Sequence, residues 1–350
     1  MRYLFTFLYL GFSQILSAQE WNEVSLKDLS VTGIQDITPL KYTLYRVDDE
    51  QIKQILWSAP DEITGVKNSK TELHVGLPDG KTETFRIVRY AMMEEGLQVQ
   101  YPDIRTFHGI STTTKACRIR IDYTEQGFRA VISSPEKDKI FIDHFQRGDK
   151  DTRIVYYKKD YKKVPSWGCL VDDEFLREHK NEQSSGLRIG DCQFRSYRLA
   201  QATTGEYSRY FGAFNPGQSG LVLSAVTTGI NRINEVYESE IAVRLILVAN
   251  NTQIFYYDPT TDPYTATNAS TMLGENQTTC NNVIGSANYD IGHVFGALGN
   301  NGVASLGSVC SANNKARGVT TSTAPVNDPF YIDYVAHEMG HQFGGNHTQN

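Results

Sequence analysis

Apolar and polar residues alternate through much of the first half of the chain, and that two-residue period predicts strands. The pattern appears at residues 71–75, 82–90, 117–123, 127–133 and 139–145. Ahead of them, residues 41–47 read as a short strand and 48–57 as the start of a helix. The second half changes period. Residues 194–200 alternate as a first strand. Leu221, Leu223, Val226, Ile230, Ile233 and Val236 then recur at helical spacing across residues 220–237. Residues 241–248 are apolar enough for a central strand, and 273–284 predict a second short helix. The order strand, helix, strand points to an α/β sandwich rather than an all-β module. A last helical pattern runs through Ile332, Val335, Met339 and Phe343, with Asp328 as its cap and Pro329 in its first turn.

Composition adds the compartment. Residues 1–18 place one basic residue, Arg2, before an apolar run that ends in small residues, the form of a secretory signal cleaved near Ala18. The run is short for a membrane anchor, so the expected mature protein is exported, extracellular and without stable membrane insertion. A length of 350 residues suggests about two domains, and 40 % apolar content suffices for buried cores. A formal charge of −6 argues against nucleic acid as a partner. Between about 147 and 188 the chain turns polar, with basic runs followed by small residues near 177–186, a composition suited to an interdomain linker open to proteolysis.

Candidate chemistry concentrates near residue 340. His337 and His341 are four residues apart, so a helix presents both rings on one face to a single metal ion. Glu338 follows the first of them and can accept a proton from an activated water. Gly344 stands where a left-handed residue would turn the chain back, bringing His347 toward the ion from outside the helix. This donor set predicts Zn²⁺ held by His337, His341 and His347, with Glu338 as the catalytic carboxylate. Elsewhere, His74, His108, His144 and His293 stand alone and are expected in hydrogen-bonding or surface roles. The cysteines, Cys117, Cys169, Cys192, Cys280 and Cys310, include no Cys-x-x-Cys unit; Cys280 with Cys310 is a candidate disulfide.

The run His337-Glu338-Met339-Gly340-His341-Gln342-Phe343-Gly344-Gly345-Asn346-His347 resembles the metzincin zinc endopeptidases. It is most similar to bacterial secreted members near the reprolysin (adamalysin) branch, although Thr348 stands where adamalysins proper usually carry an aspartate. The resemblance implies an α/β (α+β) catalytic domain at 188–350, with a mixed twisted sheet and an active-site helix. It also implies a methionine-containing turn after the third histidine, expected beyond Asn350. Before the catalytic domain it implies a β-rich inhibitory propeptide at 19–187. In some relatives a propeptide thiolate blocks the metal; Cys169 is the candidate here, the alternative being a structural disulfide, perhaps with Cys117. Val303, Ala304, Ser305 and Leu306 correspond to the edge strand that pairs with substrate backbone, so the expected partners are proteins or peptides. Two other classes remain open: a noncatalytic secreted module stabilised by zinc, and a zinc hydrolase of a non-peptide substrate.

Overall fold

Strand alternation in the first half closes into a sheet with two unlike faces. The computed structural model describes residues 20–161, 167–171 and 193–347. The expected signal segment at 1–18, the polar stretch at 177–186, Cys192 and Thr348 lie outside the described residues. Among the described residues, nine antiparallel strands pair in the order β1-β2-β9-β8-β7-β6-β5-β4-β3. They are β1 Asn22–Val24, β2 Thr43–Arg46, β3 Glu72–Gly76, β4 Thr82–Tyr90, β5 Arg105–Ser111, β6 Arg118–Thr124, β7 Gly127–Ser134, β8 Lys137–His144 and β9 Thr152–Tyr157. One face is apolar: Tyr45, Phe107, Ile121, Ile142 and Val155 pack with Ile52 and Leu56 of helix α1, Asp49–Trp57. Asp48 caps that helix by accepting the Gln51 amide at 2.9 Å. A second helix, α2, spans Glu95–Gln100. Strand β9 falls inside the stretch whose composition suggests a linker, yet it is buried between β2 and β8.

The second half forms a mixed sheet of order β10-β14-β15-β13-β11-β12, six-stranded among the described residues. Its strands are β10 Gly168–Cys169, β11 Arg195–Thr203, β12 Val243–Leu247, β13 Ile291–Gly296, β14 Asn301–Ala304 and β15 Gly318–Thr321. Strands β12, β11, β13 and β15 run parallel to one another, and β14 returns antiparallel to β15. Helices α3 (Gly205–Tyr210), α4 (Ser219–Glu240), α5 (Ala269–Thr279) and α6 (His337–Gln342) complete the unit. Helix α4 buries Val226, Ile230 and Ile233 with Leu199, Leu245 and Phe295 on one side of the sheet. Helix α5 buries Met272 and Leu273 with Ala200, Val294 and Val319 on the other. Parallel strands covered on both faces are what the apolar run through β12 requires. The expected α/β sandwich with a mixed sheet is therefore present.

The N-terminal half is not a separate all-β body. Tyr90, Met92, Met93, Leu97 and Ile104 belong to the same core as α4 and β11. The Glu94 amide donates to Leu247 O, and the Leu247 amide to Met92 O, each at 2.9 Å, so this segment covers the β12 edge. Strand β10 covers the opposite edge, parallel to β14. The second face of the large sheet carries a smaller apolar cluster with Leu44, Phe141 and Ile154, and its polar positions meet a polar stripe of α4: Asp122 accepts from Thr228 at 2.7 Å, Asp143 from Arg232 at 2.5 Å, and Glu235 from Lys139 at 2.6 Å. Among the described residues, no helix is long and apolar enough to cross a membrane.

Candidate metal centre

The chain approaches the histidines through a widened helix. Pro329–Ala336 is π-helical and passes directly into α6. A π turn leaves backbone carbonyls out of the regular ladder; the buried Tyr237 hydroxyl takes one of them, donating to Ala336 O at 2.7 Å. Met339 is fully buried in the core, which fixes one face of α6. Gln342 fixes the next: its amide donates to Gly292 O at 2.9 Å, and its carbonyl oxygen faces His293 Nδ1 at 2.9 Å. His293 Nε2 in turn meets Thr320 Oγ1 at 2.9 Å. His293 is thus a buried structural link between sheet and helix, and burial pulls it down to about 4, keeping it neutral.

Helix α6 ends as its spacing predicts. Gly344 adopts φ +95°, its amide donates to His341 O at 2.9 Å, and the Gly345 amide returns to Gly340 O at 2.9 Å. This reversal delivers His347. The Nε2 atoms of His337 and His341 are 3.0 Å apart, and each lies 3.2 Å from His347 Nε2. Cys169 Sγ completes the group at 3.6 Å from His341 Nε2. All four donor atoms lie within 4.8 Å of one another.

The three nitrogen separations, and the distance from sulfur to His341, fit a common ion. Tetrahedral zinc with nitrogen at about 2.0–2.1 Å and sulfur at about 2.3 Å sets nitrogens roughly 3.3 Å apart and sulfur roughly 3.6 Å from nitrogen. Three imidazoles and a thiolate are also the donor chemistry zinc takes. Orientation is set from behind: His341 Nδ1 faces Gly345 O at 2.7 Å, which holds the proton on Nδ1 and leaves the Nε2 lone pair toward the cluster. Burial, with the neighbouring imidazoles, pulls His337 down to about 4, so its ring also offers a lone pair at neutral pH.

Glu338 lies beside this cluster with 0 % exposure. Its carboxylate oxygens are buried and have no hydrogen-bonding neighbour apart from the Cys169 thiol. Burial pushes the carboxyl up to about 8, with the thiol acting in the opposite direction. Gly302 makes the room: a Cβ there would stand 2.6 Å from Glu338 Cγ.

Strand β10 enters by main-chain pairing, with the Gly168 amide donating to Asn300 O at 3.2 Å and the Leu170 amide to Gly302 O at 2.8 Å. Val303 and Ala304 lie on the same strand β14, buried and paired with Val319 and Gly318 of β15. Ser305 follows the strand and donates its amide to Arg317 O at 2.9 Å; Leu306 lies beyond it. The segment docked on this edge thus uses Asn300–Gly302, just before the four residues that the sequence points to. Among the described residues, Cys117, Cys280 and Cys310 are thiols, so neither a Cys280–Cys310 bridge nor a Cys117–Cys169 bridge forms. Cys280 is buried beside Asn276 Oδ1 at 3.7 Å, whereas Cys310 is exposed on a loop. Trp167, Tyr334, Tyr237 and Gly302 escape sequence reasoning, although Trp167 stands two residues from Cys169 and so shares its strand face.

Residues 194–350 match the family model for metallo-peptidase family M12B, reprolysin-like. That match covers the six-stranded sheet except β10, together with the histidine cluster, and it is consistent with the reprolysin and metzincin superfamily. No curated protein matches the chain.

Proposed function

We propose that the chain is the latent form of a secreted zinc endopeptidase, with residues 188–350 as catalytic domain and 19–187 as its inhibitory propeptide. The observation that carries this reading is the convergence of three imidazole Nε2 atoms at 3.0–3.2 Å beside a buried, nearly unpartnered glutamate. His337, His341 and His347 hold the ion. When bound, zinc polarises the scissile carbonyl and lowers the pKa of a water. Once β10 leaves and the carboxyl is no longer shut in beside Cys169, Glu338 as carboxylate takes the proton from a water whose oxygen attacks the carbonyl carbon, then gives it to the departing amine nitrogen.

Main-chain pairing along β14 orients the peptide, as it orients β10 here. In the latent state Cys169 would add a thiolate to the three imidazoles that hold the metal, and its displacement would leave room there for water. The polar stretch at 177–186 is the segment whose cleavage releases β10. A structural zinc site gains nothing from a carboxylate held without partners, which favours catalysis over a purely stabilising metal.

The test is mass-spectrometric mapping of cuts in a mixed peptide library by the chain processed in its linker, with and without a zinc chelator. Internal cuts that vanish with chelator are expected. A zinc-loaded, processed protein that makes no cuts would sink the reading and leave a zinc-stabilised binding module or a non-peptide hydrolase.

A further inference from the structure

Trp167 and Cys169 are two residues apart on an extended segment, so alternation sends both side chains toward the histidine helix. Cys169 reaches the histidines. Trp167 lies flat against Tyr334, with ring centroids 4.4 Å apart and planes 5° from parallel, and it meets the His337 ring edge-on at 5.6 Å. Tyr334 is 8 % exposed and anchored in the core of the second half, so the platform belongs to the domain and not to the docked segment. Gly302 leaves the space that the indole occupies: a Cβ there would stand 2.6 Å from Trp167 Cζ2. A fixed aromatic ring that stacks, and a bare stretch of backbone that leaves room, thus meet the same flat group.

The polar edge of the indole has no role in it. Trp167 Nε1 is buried without a hydrogen-bond partner. A slot selective for indole would offer that N–H an acceptor. This one selects by ring stacking, which Phe and Tyr satisfy as well as Trp, and Phe leaves no polar atom orphaned.

We propose that the slot between Tyr334 and Gly302 is a substrate subsite for a planar aromatic side chain, filled by Trp167 in the unprocessed chain. The proposal rests on the peptide-cleft reading above. A peptide paired on the same backbone edge presents its side chains at the same two-residue spacing, in either chain direction. The aromatic residue then sits two positions from the residue facing the histidines, at one fixed distance from the cut bond.

Two measurements test this. In the full chain carrying Trp167→Gly, the emptied slot is titrated calorimetrically with N-acetyl-phenylalaninamide, N-acetyl-tryptophanamide and N-acetyl-leucinamide. The aromatic amides are expected to bind roughly fivefold to tenfold more tightly than the leucine amide. Adding Tyr334→Leu should erase that gap, and Tyr334→Phe should keep it. In the chain processed in its linker, library cuts should show Phe, Tyr or Trp at one position near the scissile bond. The Tyr334→Leu variant should lower the ratio of kcat/KM for a Phe peptide over its Leu counterpart by a similar factor. Equal binding of the three amides, or cuts without an aromatic at a fixed position, would overturn the slot while leaving the peptidase standing. Selective aromatic binding in a protein that cuts nothing would retain the slot and remove the peptidase. Should Tyr334→Leu fail to fold, the amide comparison in the Trp167→Gly chain decides.

Discussion

Glu338 shows what one residue contributes when its neighbours are withheld from it. A carboxylate with 0 % exposure and almost no hydrogen-bond donors is costly to keep, and a helix that needed only stability would carry an apolar group there. Glu338→Gln preserves the shape and removes the proton acceptor. The processed variant should keep its zinc, measured by elemental analysis, and lose turnover by on the order of 10²-fold to 10⁴-fold. Near-wild-type cleavage would exclude Glu338 as the base. The motif that contains this residue is legible in the sequence because helical geometry alone aligns His337 with His341. Its partners Gly302 and Cys169 are 36 and 169 residues away and are joined to it only by folding.

Helix α6 depends on how it stops. Gly344 has φ +95°, and a Cβ there would meet nothing nearer than Gly307 Cα at 3.8 Å, so the cost of a side chain is backbone strain and not a clash. Gly344→Ala should therefore destabilise the protein by about 1–2 kcal/mol. It should also weaken zinc, since the same turn places His347; competition with a chromophoric chelator reads that affinity. Unchanged affinity would mean that His347 finds the ion without the turn. At this scale sequence periodicity works where elements are long. The apolar repeat from 220 to 237 locates most of α4, Ser219–Glu240. It does not reveal β5 or β9, whose residues lack a clean two-residue alternation, nor the π-helical run before α6, whose widening is stabilised by Tyr237 from another helix.

Across the whole molecule, the two halves meet through charge as well as through the apolar core that Tyr90, Leu97 and Ile104 share with α4. Asp143, fully buried on β8, accepts from Arg232 of α4, which also lies 3.5 Å from Asp328 at the head of the helical run that carries the histidines. Asp143→Ala strands a buried guanidinium with one weaker partner, and urea unfolding of the unprocessed chain should lose about 3 kcal/mol. A loss below about 1 kcal/mol would show that Asp328 alone balances Arg232. Nearby, a cavity of about 490 Å³ is lined by Glu62, His108, Arg118, Arg120, Glu238 and Arg244. Burial, then the positive charges of Arg120, Arg244 and Arg118 set against Glu238, pull His108 down to about 4. Its unfolded value is near 6.5, so below that pH the unfolded chain takes up a proton that the folded chain refuses. Stability should fall as pH drops from 6.5 toward 4, by at most about 3 kcal/mol from this residue. The slope should shrink in His108→Gln, as measured by unfolding at pH 7 and 4.5. An identical slope in the variant would assign the pH dependence to other groups.

Local geometry was sufficient for much of this. A two-residue period makes strands, a helical period makes α4 and α6, and one short run carries the three clustered histidines; each rests on interactions within a few residues, which a sequence displays directly. The alternation Arg118-Ile119-Arg120-Ile121-Asp122 likewise announces one apolar and one polar face. Which surface the polar face meets is another matter. In isolation it reads as solvated, yet Arg120 pairs with Glu238 and Asp122 with Thr228 of α4. The same holds for Trp167, whose stacking on Tyr334 joins residues 167 apart in the chain. Such pairings depend on long-range packing, where the charge or ring that satisfies a side chain comes from a distant element, and only the tertiary structure decides which one it is.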